Sequence, residues 1–386
     1  MRILYVINTL GTGGTERSMA ELMEPLSRLG VDPAVAILQS DSTGVEQAVR
    51  SQGIPVEVLG THFWRALPSL RASLSRLRPS LVHTALFESD IVGRLAARGM
   101  GVPVITSLVN TGYEPERLAD PNVKRWRLQG VRWVDGFTGR RLTAHFHSVS
   151  NSAKQSAVRR LKLDPDSITV VERGRDPNRL GEPGLARRRQ SRAALGLQPE
   201  DEVMVSVGRH EFQKNQVVMV EALGRLSDRG RLVLLLAGRR GHASAMLEDA
   251  IARLPDPGKV RLLGYRDDVP DVLAAADLFV LSSRFEGLPG AVIEAMALGL
   301  PIVASAIPPV REVVDAGENA SLFRSGDSAA LAAAVRRLLE DAPLRHRMGV
   351  RSRDLFLERF TLDRSARRMA DLYQRVIDTN QAGKAR

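Results

Sequence analysis

Short apolar runs alternate with amphipathic stretches along most of the chain, a pattern typical of strands alternating with helices. The first residues, RILYVIN, predict a buried strand, followed by a glycine-containing loop and an amphipathic helix, ERSMAELMEPLSRLG. The same order repeats through the first half, with further strands expected at PAVAILQ, VEVL, SLVHTA, PVITSLV, FHSVS and SITVV. Strands separated by helices pair in parallel, because each helix returns the chain across the sheet. The pattern therefore predicts a doubly wound α/β lobe.

The alternation stops in the segment ERGRDPNRLGEPGLARRRQ, which is rich in Arg, Gly and Pro, and it restarts at VMVSVG. Further strands are expected at RLVLLLAG, KVRLLGY, LFVLSS, PIVAS and ASLF, and only helices after Ser325. A chain of 386 residues suits two domains with separate cores. We therefore predict two Rossmann-like doubly wound lobes facing a cleft, at residues 1–175 and 201–360, joined by a linker at 176–200. A C-terminal helix, 361–386, is expected to pack back toward the first lobe.

Composition narrows the class of protein. The 44% hydrophobic and 26% charged residues are usual for a globular protein, and the absence of cysteine excludes disulfides and thiolate metal sites. The first residues lack the pattern of a secretory signal, and the longest apolar tract is interrupted by Glu294, Gly299 and three prolines. We expect a cytoplasmic protein. Its formal charge of +11 indicates either a phosphate-bearing partner or simply an arginine-rich solvated surface.

The segment EGLPGAVIE, residues 286–294, lies between two expected strands and is the most informative part of the chain. Pro289 suits the first turn of a helix, which we expect to start near Leu288 or Pro289, and Gly287 permits close approach of the backbone to a ligand. Glu286 then precedes the helix, and Glu294 lies about one and a half turns inside it. Helix N-termini attract phosphate groups, and open α/β sheets bind ligands at the carboxyl ends of their strands. The segment therefore predicts an anion site.

The segment VGRHEFQKN places two cations, Arg209 and Lys214, directly after another expected strand. Gly208 at the end of that strand permits close approach of the backbone. Arginine can bind two oxygens of a diphosphate, and lysine adds a point charge, so the pair could neutralise a diphosphate leaving group. The alternative is that both are surface cations near a helix start, where they would oppose the helix dipole.

The pairs Gly208-Arg209 and Lys214-Asn215, followed by EGLPGAVIE and REVV, resemble the donor-binding lobe of the family 4 retaining glycosyltransferases, which have the GT-B fold. The resemblance covers the layout of the whole chain, with its strongest motifs at 203–314. It implies metal-independent transfer of a sugar from a nucleotide diphosphate sugar, UDP-linked rather than GDP-linked, to a hydroxyl group. It also implies that no cofactor is needed.

The acceptor implied by the resemblance is a saccharide or a lipid-linked saccharide, as in bacterial cell-surface polysaccharide or glycolipid synthesis. Three alternatives stay open: a nucleotide-sugar epimerase of the same fold, a hydrolase of that fold, and a non-enzymatic protein that binds polyanions or membrane surfaces.

The resemblance also assigns roles to residues. It implies that Arg209 and Lys214 contact the diphosphate, that Glu286 lies beside the donor sugar, and that Glu294 holds the ribose. Glu286, Arg209 and Lys214 are the expected catalytic residues. Other residues expected to contact the sugar, the phosphates or the base are Gly208, Gly287, Leu288, Pro289, Gly264, Tyr265 and Arg266.

The first lobe offers fewer signals. In the loop LGTGGTE, Gly13, Gly14 and Thr15 match a loop that faces donor and acceptor in the similar enzymes. A dinucleotide fingerprint is disfavoured, because a glutamate stands where the third glycine is needed. In TSLVNTGY, Asn110 replaces a histidine found in relatives; it could bond a sugar hydroxyl or form a turn. His83, on the strand SLVHTA, is a further candidate for the cleft.

The segment KRWRLQGVRWVDGFTGRR, residues 124–141, interleaves Trp126 and Trp133 with arginines. Such a helix could lie peripherally on the inner face of a membrane and would suit a lipid-linked acceptor, or its aromatic residues could pack against the first lobe. No nucleic-acid partner is expected, because no recognised module is present and aromatic residues make up only 4%.

No metal site is expected. His145 and His147 share one face of a strand but have no evident third ligand. The one Asp-x-Asp, at 164–166, lies where a turn is expected.

Overall fold

The computed structural model describes residues 1–384, and Ala385 and Arg386 lie outside the described residues. The chain divides into two compact units. The first comprises Met1–Gly174 and the chain from Leu362 onward, and the second comprises Arg175–Thr361.

In the first unit, the described residues form a parallel sheet of seven strands in the order β3-β2-β1-β4-β5-β6-β7. The strands are β1 (Arg2–Ile7), β2 (Asp32–Ile37), β3 (Val56–Val58), β4 (Leu81–Ala85), β5 (Val104–Leu108), β6 (His145–Ser148) and β7 (Ile168–Val170). The helices between them are α1 (Gly14–Arg28), α2 (Glu46–Ser51), α3 (Phe63–Leu77), α4 (Phe87–Ala97), α5 (Arg125–Leu142) and α6 (Asn151–Leu161). The central strands are buried, as expected for a sheet covered on both faces.

The second unit repeats the arrangement, with the parallel order β10-β9-β8-β11-β12-β13 among its described strands. These strands are β8 (Glu202–Val207), β9 (Leu232–Ala237), β10 (Val260–Gly264), β11 (Leu278–Leu281), β12 (Ile302–Ser305) and β13 (Ala320–Phe323). Its helices are α7 (Pro177–Leu180), α8 (Leu185–Ala194), α9 (Val217–Gly224), α10 (Ser244–Ala252), α11 (Val269–Ala274), α12 (Gly290–Ala297), α13 (Pro308–Arg311), α14 (Ser328–Glu340) and α15 (Ala342–Arg359).

The expected linker, 176–200, contains α7 and α8 and belongs to the second unit. Its arginines make specific bonds there. Arg188 and Arg192 donate to the two carboxylate oxygens of Asp277 at 2.7 and 2.9 Å, and Arg192 also bonds the Ala275 carbonyl at 3.0 Å. The arginine-rich composition that suggests a linker therefore reflects ion pairs that hold α8 against this unit.

The last helix, α16 (Leu362–Lys384), packs on α1 in the first unit. Its apolar face, which includes Met369, Leu372 and Tyr373, completes the core on one side of the first sheet. The amphipathic spacing of these residues explains the packing, because they recur at intervals of three to four residues. None of the helices in residues 1–384 combines the length and apolarity that crossing a membrane requires.

Candidate functional site

The loops after β8 and β11 lie side by side, because these two strands are neighbours in the second sheet. The first loop carries Lys214 and the second carries Glu286. Lys214 Nζ donates to Glu286 Oε1 at 2.6 Å, so residues 72 positions apart form one ion pair. The pair sits at the carboxyl edge of the sheet, where ligands bind in this architecture.

Glu286 is buried, and several neighbours orient its carboxylate. Ser283 Oγ donates to Oε1 at 2.7 Å, and Gln213 Nε2 donates to Oε2 at 3.3 Å. Gln213 also bonds the Phe285 carbonyl at 2.8 Å, which ties the two loops together. A carboxylate held in this way keeps one orientation, which suits a group that positions a ligand.

Helix α12 begins at Gly290, one residue after the predicted start near Leu288 or Pro289. Pro289 is the N-cap, with an extended conformation (φ −74°, ψ 91°). Proline has no side-chain oxygen with which to cap a helix, so it leaves the N-terminal N–H groups of α12 uncapped by its side chain. The backbone at 287–289 therefore leads directly into a positive helix end.

Glu294 lies inside α12 and is paired with a residue that sequence reasoning missed. Arg175 Nε donates to Glu294 Oε1 at 2.7 Å, and both side chains are buried. Burial of one ionised group without the other would be costly, so the pair holds the start of the second unit to α12. No local signal in the sequence indicates this contact, because the partners are 119 positions apart.

Two glycines let the chain pass closely at the end of β8. A Cβ on Gly238 would lie 2.0 Å from the Gly208 carbonyl oxygen, and a Cβ on Gly208 would lie 3.3 Å from Lys214 Cε. Gly208 therefore leaves room for the lysine stem. Arg209 follows with an exposed side chain. Helix α9 starts only at Val217, so both cations lie in the loop before it.

The loop after β10 holds the residues expected near a base. Gly264 has φ +65°, a conformation that glycine adopts without strain. Tyr265 is 45% exposed, and the Arg239 guanidinium lies 4.6 Å from the centroid of its ring. Arg266 pairs with Asp268, with Nε donating to Oδ1 at 2.7 Å. That ion pair holds the Arg266 side chain against its own loop.

A second group missed from the sequence supports the loop that carries Lys214. The Arg284 guanidinium lies 4.4 Å from the Phe212 ring, and it donates to Asn215 Oδ1 at 2.9 Å. Burial lowers the pKa of Arg284. Asn215 has φ +50°, a conformation that asparagine tolerates better than most residues. These contacts stabilise the turn that aims Lys214 at Glu286.

In the first unit, Gly13 is the N-cap of α1, which begins at Gly14 and continues through Thr15. A Cβ on Gly13 would lie 2.2 Å from Glu16 Oε2, so the glutamate folds back over the start of the helix. A carboxylate is favourable at this helix end, where it also opposes the approach of another anion.

Asn110 forms a turn, because its Oδ1 accepts from the Gly112 N–H at 2.8 Å. Its side chain is exposed and lines a pocket of about 460 Å³ in the first unit. The two interpretations of this asparagine are therefore compatible.

His83, expected as a candidate for the cleft, lies beside a small pocket that Thr15 also lines. His83 is buried, and both of its ring nitrogens are bonded: Nδ1 to Tyr373 at 2.6 Å and Nε2 to Ser107 at 2.7 Å. Burial lowers the pKa of His83 well below its usual value. The physical reason is α16, which brings Tyr373 over the end of the sheet. His83 therefore serves the packing of α16.

The bonds of His83 continue to His147, which donates from Nε2 to the Val171 carbonyl at 2.9 Å. Burial lowers the pKa of His147 to about 4, so Nδ1 of the neutral ring accepts from Ser107 at 2.8 Å. Ser107 then accepts from His83 Nε2, and His83 Nδ1 accepts from the tyrosine hydroxyl. Every member of this buried chain is satisfied without a charge.

Within residues 1–384, no three His, Asp or Glu side chains gather as ligands for a metal ion. Asp164 Oδ1 accepts from the Asp166 N–H at 3.0 Å and so caps a short turn.

Helix α5 presents an aromatic stripe to solvent. Trp126 and Trp133 are 70% and 67% exposed, and the Phe137 ring stacks on Trp133 at 5.4 Å. The spacing of seven and four residues puts all three on one face. The opposite face contains Gly139, where a Cβ would lie 3.3 Å from the Phe146 ring. Close packing on that side directs the aromatic residues outward.

Two doubly wound sheets of like strand order, with a lysine–glutamate pair at the ligand edge of the second, are features of the GT-B glycosyltransferases. Two family models match the chain: "Glycosyltransferase Family 4" over residues 12–179 and "Glycosyl transferases group 1" over residues 187–355. The chain therefore belongs to the family 4 glycosyltransferases, and the predicted family, fold class and enzyme class are confirmed.

Individual relatives of the chain are also glycosyltransferases. An Escherichia coli UDP-Gal:alpha-D-GlcNAc-diphosphoundecaprenol alpha-1,3-galactosyltransferase is 27% identical over 80% of this chain and 79% of its own. A Corynebacterium kroppenstedtii D-inositol 3-phosphate glycosyltransferase is 28% identical over 79% of this chain and 69% of its own. The crystal structure of Anabaena HepE with UDP and glucose superimposes with a TM-score of 0.85 at 21% identity, covering 97% of this chain and 99% of that one. These relatives favour sugar transfer over the epimerase, hydrolase and non-enzymatic alternatives.

Proposed function

We propose that this glycosyltransferase moves a sugar, with retention of configuration, from a UDP-sugar to a hydroxyl of a saccharide or lipid-linked saccharide. The observation that carries the donor assignment is the Lys214–Glu286 ion pair beside the start of α12. A cation and helix N–H groups attract a diphosphate, and a fixed carboxylate can accept bonds from sugar hydroxyls. All three lie at the carboxyl edge of one sheet.

In this proposal, Lys214 and Arg209 stabilise the diphosphate as negative charge develops on it during departure. Their two positive charges take the part that a metal ion has in other nucleotide-sugar sites, so we propose transfer without a metal. Glu286 orients the donor sugar. The backbone at Gly287 and its neighbours meets the phosphates at the start of α12.

We assign the ribose to Glu294 and the base to the loop after β10. The bond from Arg175 holds the Glu294 carboxylate in place, which supports a positioning role. Tyr265 offers an exposed ring beside Arg239, and a planar base can stack on such a surface. UDP is proposed as the nucleotide because the similar HepE structure contains it.

The first unit is proposed to bind the acceptor. The Escherichia coli and Corynebacterium kroppenstedtii relatives act, by their names, on acceptors that carry phosphate: a diphospholipid-linked sugar and inositol 3-phosphate. A phosphate-bearing acceptor would also account for the positive charge of this chain, +11.

The donor proposal predicts a thermal shift. UDP at about 100 times its Kd should stabilise the protein by about 2.7 kcal/mol, which raises the Tm by roughly 5–10 °C. The shift should persist in EDTA and should disappear in Arg209→Ala combined with Lys214→Ala. The matched control is Arg231→Ala with Lys259→Ala, two cations at the opposite, amino-terminal edge of the same sheet. An unchanged shift in the first double variant would refute the donor site.

We further propose that α5 contacts the inner membrane surface peripherally. The exposed tryptophans, flanked by Lys124, Arg125 and Arg127, combine aromatic groups that favour the interface with cations that favour anionic lipid. The Arg127 guanidinium lies 5.6 Å from the Trp126 ring centroid, so an aromatic group and a cation lie side by side on this helix.

Vesicle sedimentation tests this contact. Trp126→Ala with Trp133→Ala should reduce binding to vesicles of phosphatidylglycerol and phosphatidylethanolamine by about tenfold or more, because each indole contributes on the order of 1–2 kcal/mol at an interface. Trp64→Ala is the control, since Trp64 is 82% exposed but lies on α3. Equal losses in both proteins, or none in either, would exclude α5 as the contact.

A further inference from the structure

A pocket lined by charged and polar side chains lies in the first unit, outside the proposed donor site. It measures about 460 Å³ and opens at the carboxyl ends of β4 and β5, between the start of α4 and the start of α5. Its lining includes Asp90, Tyr113, Arg117, Lys124, Arg127 and Asp135. The backbone enters α4 through Leu86, whose φ of +77° and ψ of 143° are strained for any residue but glycine. This volume suits one or two sugar rings.

The interior of the pocket holds two carboxyl groups and one cation. Arg94 is 1% exposed and donates to Asp135 Oδ1 at 2.7 Å, while the Tyr113 hydroxyl donates to Oδ2 of the same aspartate at 2.8 Å. Asp135 is therefore paired and satisfied. Since Arg94 supplies a single positive charge and bonds Asp135, the second carboxyl, Asp90, forms no ion pair of its own within residues 1–384.

Asp90 is 5% exposed, and its Oδ1 has no hydrogen-bond partner among the residues that the structure describes. An unsatisfied buried oxygen costs free energy, so a ligand that bonds it is stabilised. Burial raises the pKa of Asp90 to about 8, with Asp135 and Glu88 acting in the same direction and Arg94 opposing them. Near neutral pH, Asp90 is then an uncharged acid that can both donate to and accept from a hydroxyl group.

The rim of the pocket carries three cations and one exposed carboxylate, Glu88, so positive charge is in excess there. Arg117 donates to the Gly112 carbonyl at 3.2 Å and is half-buried there, while Lys124 and Arg127 are exposed at the start of α5. Lys124 is the N-cap of that helix, whose first turn contains no acidic residue. Cations at a helix N-terminus oppose its dipole, so their presence is unfavourable without an anion.

We propose that this pocket binds a sugar that carries a phosphate group: Asp90 hydrogen-bonds a sugar hydroxyl inside, and Arg117, Lys124, Arg127 and the start of α5 hold the phosphate at the rim. The proposal rests on the glycosyltransferase function above, for which this ligand is the acceptor. The interior suits hydroxyl groups, which both donate and accept hydrogen bonds, and the cations of the rim suit a phosphate.

Isothermal calorimetry without donor tests this assignment. The probes are the 1-phosphates of glucose, galactose and N-acetylglucosamine, their decyl-linked diphosphates, and their methyl glycosides. At least one phosphate-bearing probe should bind about tenfold or more tightly than its methyl glycoside, because a phosphate contact with cations is worth more than a neutral bond. Preference for the decyl diphosphates over the 1-phosphates would identify a lipid-linked source, and equal binding would identify a free glycosyl phosphate.

Variants of Asp90 test whether its side chain bonds the ligand or only supports the structure of the pocket. Asp90→Ala should lower the affinity for the probe about tenfold. Asp90→Asn keeps a hydrogen-bond donor and an acceptor, so it should bind the probe as tightly as the original protein. Above pH 8 the original protein should lose affinity as Asp90 ionises beside Asp135 and Glu88, while Asp90→Asn should not. Glu46→Gln is the matched control, since Glu46 is a buried carboxylate of the same unit bonded to Ser40 and Arg50.

The UDP thermal shift serves as the independent readout, and it should be unchanged in every Asp90 variant. Loss of the UDP shift in the original protein would refute the proposed donor function, whatever the pocket binds. If the UDP shift is normal, three results would refute the pocket assignment and leave the donor function standing. They are that no phosphate-bearing probe binds, that the methyl glycosides bind equally well, or that Asp90→Ala binds the probe as tightly as the original protein.

Discussion

Lys214→Ala is expected to lower kcat by about 10³-fold, because removing one preorganised group that stabilises the leaving charge costs about 10²–10³ and the ion pair to Glu286 is lost as well. The structure links the two residues directly, at 2.6 Å. In the proposed reaction, the lysine neutralises the departing diphosphate, and Glu286 keeps the donor sugar beside it. Without Lys214, the sugar would be misplaced, and only Arg209 would remain to stabilise the charge on the leaving group.

A double-variant cycle measures this link. Lys214→Ala, Glu286→Ala and their combination are compared by kcat with a UDP-sugar and a bound acceptor. Residues that act as a unit lose activity non-additively, so the combination should be little worse than the poorer single variant. Lys259→Ala, at the amino-terminal edge of the sheet, should retain normal kcat. Additive losses would mean that the ion pair has no part in the reaction.

Arg94→Met is expected to destabilise the first unit by about 3–5 kcal/mol, the usual cost of breaking a buried ion pair, and to lower its Tm by roughly 10 °C. Arg94 Nη1 bonds the Asp135 carboxylate, the Asp135 carbonyl and Thr138 Oγ1, and Nε bonds Thr106. Methionine fills part of the volume but leaves the buried Asp135 carboxylate without its cation. Urea unfolding followed by circular dichroism provides the measurement.

The control for Arg94 is Arg76→Met, which breaks an ion pair with Glu57 on the surface of the same unit. Exposed pairs contribute about 0–1 kcal/mol, so that protein should unfold almost like the original. Adding Asp135→Asn to Arg94→Met should restore part of the stability, because the amide removes the uncompensated charge and can still accept from Tyr113. Equal destabilisation by Arg76→Met and Arg94→Met would contradict this account of the buried pair.

The fold was largely predictable because its signals are local. Each strand of the second sheet, from VMVSVG to ASLF, is a short apolar run followed by a helical stretch. Strand bounds follow from residues within a few positions of each other. For the segment 176–200, composition predicts a linker with a short helix, whereas the bonds from its arginines to Asp277 cannot be inferred from composition.

The candidate donor residues were found for a related reason. Lys214 and Glu286 each follow a strand directly, at the edge of a parallel sheet where ligands bind, so local position indicated each of them as a candidate. That the two form an ion pair depends on the pairing of β8 with β11, which only the structure shows. Arg284 was missed although it lies in the same loop as Glu286. Its contact with Phe212 depends on the path of a turn, and the sequence carries no periodic signal for that path.

The sequence by itself determined the two α/β lobes, the family and the charged residues at the ligand edge, because strand ends and helix starts are encoded by neighbouring residues. Only the tertiary structure decided that Arg175 pairs with Glu294, that α16 covers His83, and that Asp90 is a buried carboxyl in a polar pocket. These outcomes join residues far apart in the chain. They depend on which elements pack together, and burial, which sets both pairing and pKa, exists only after that packing.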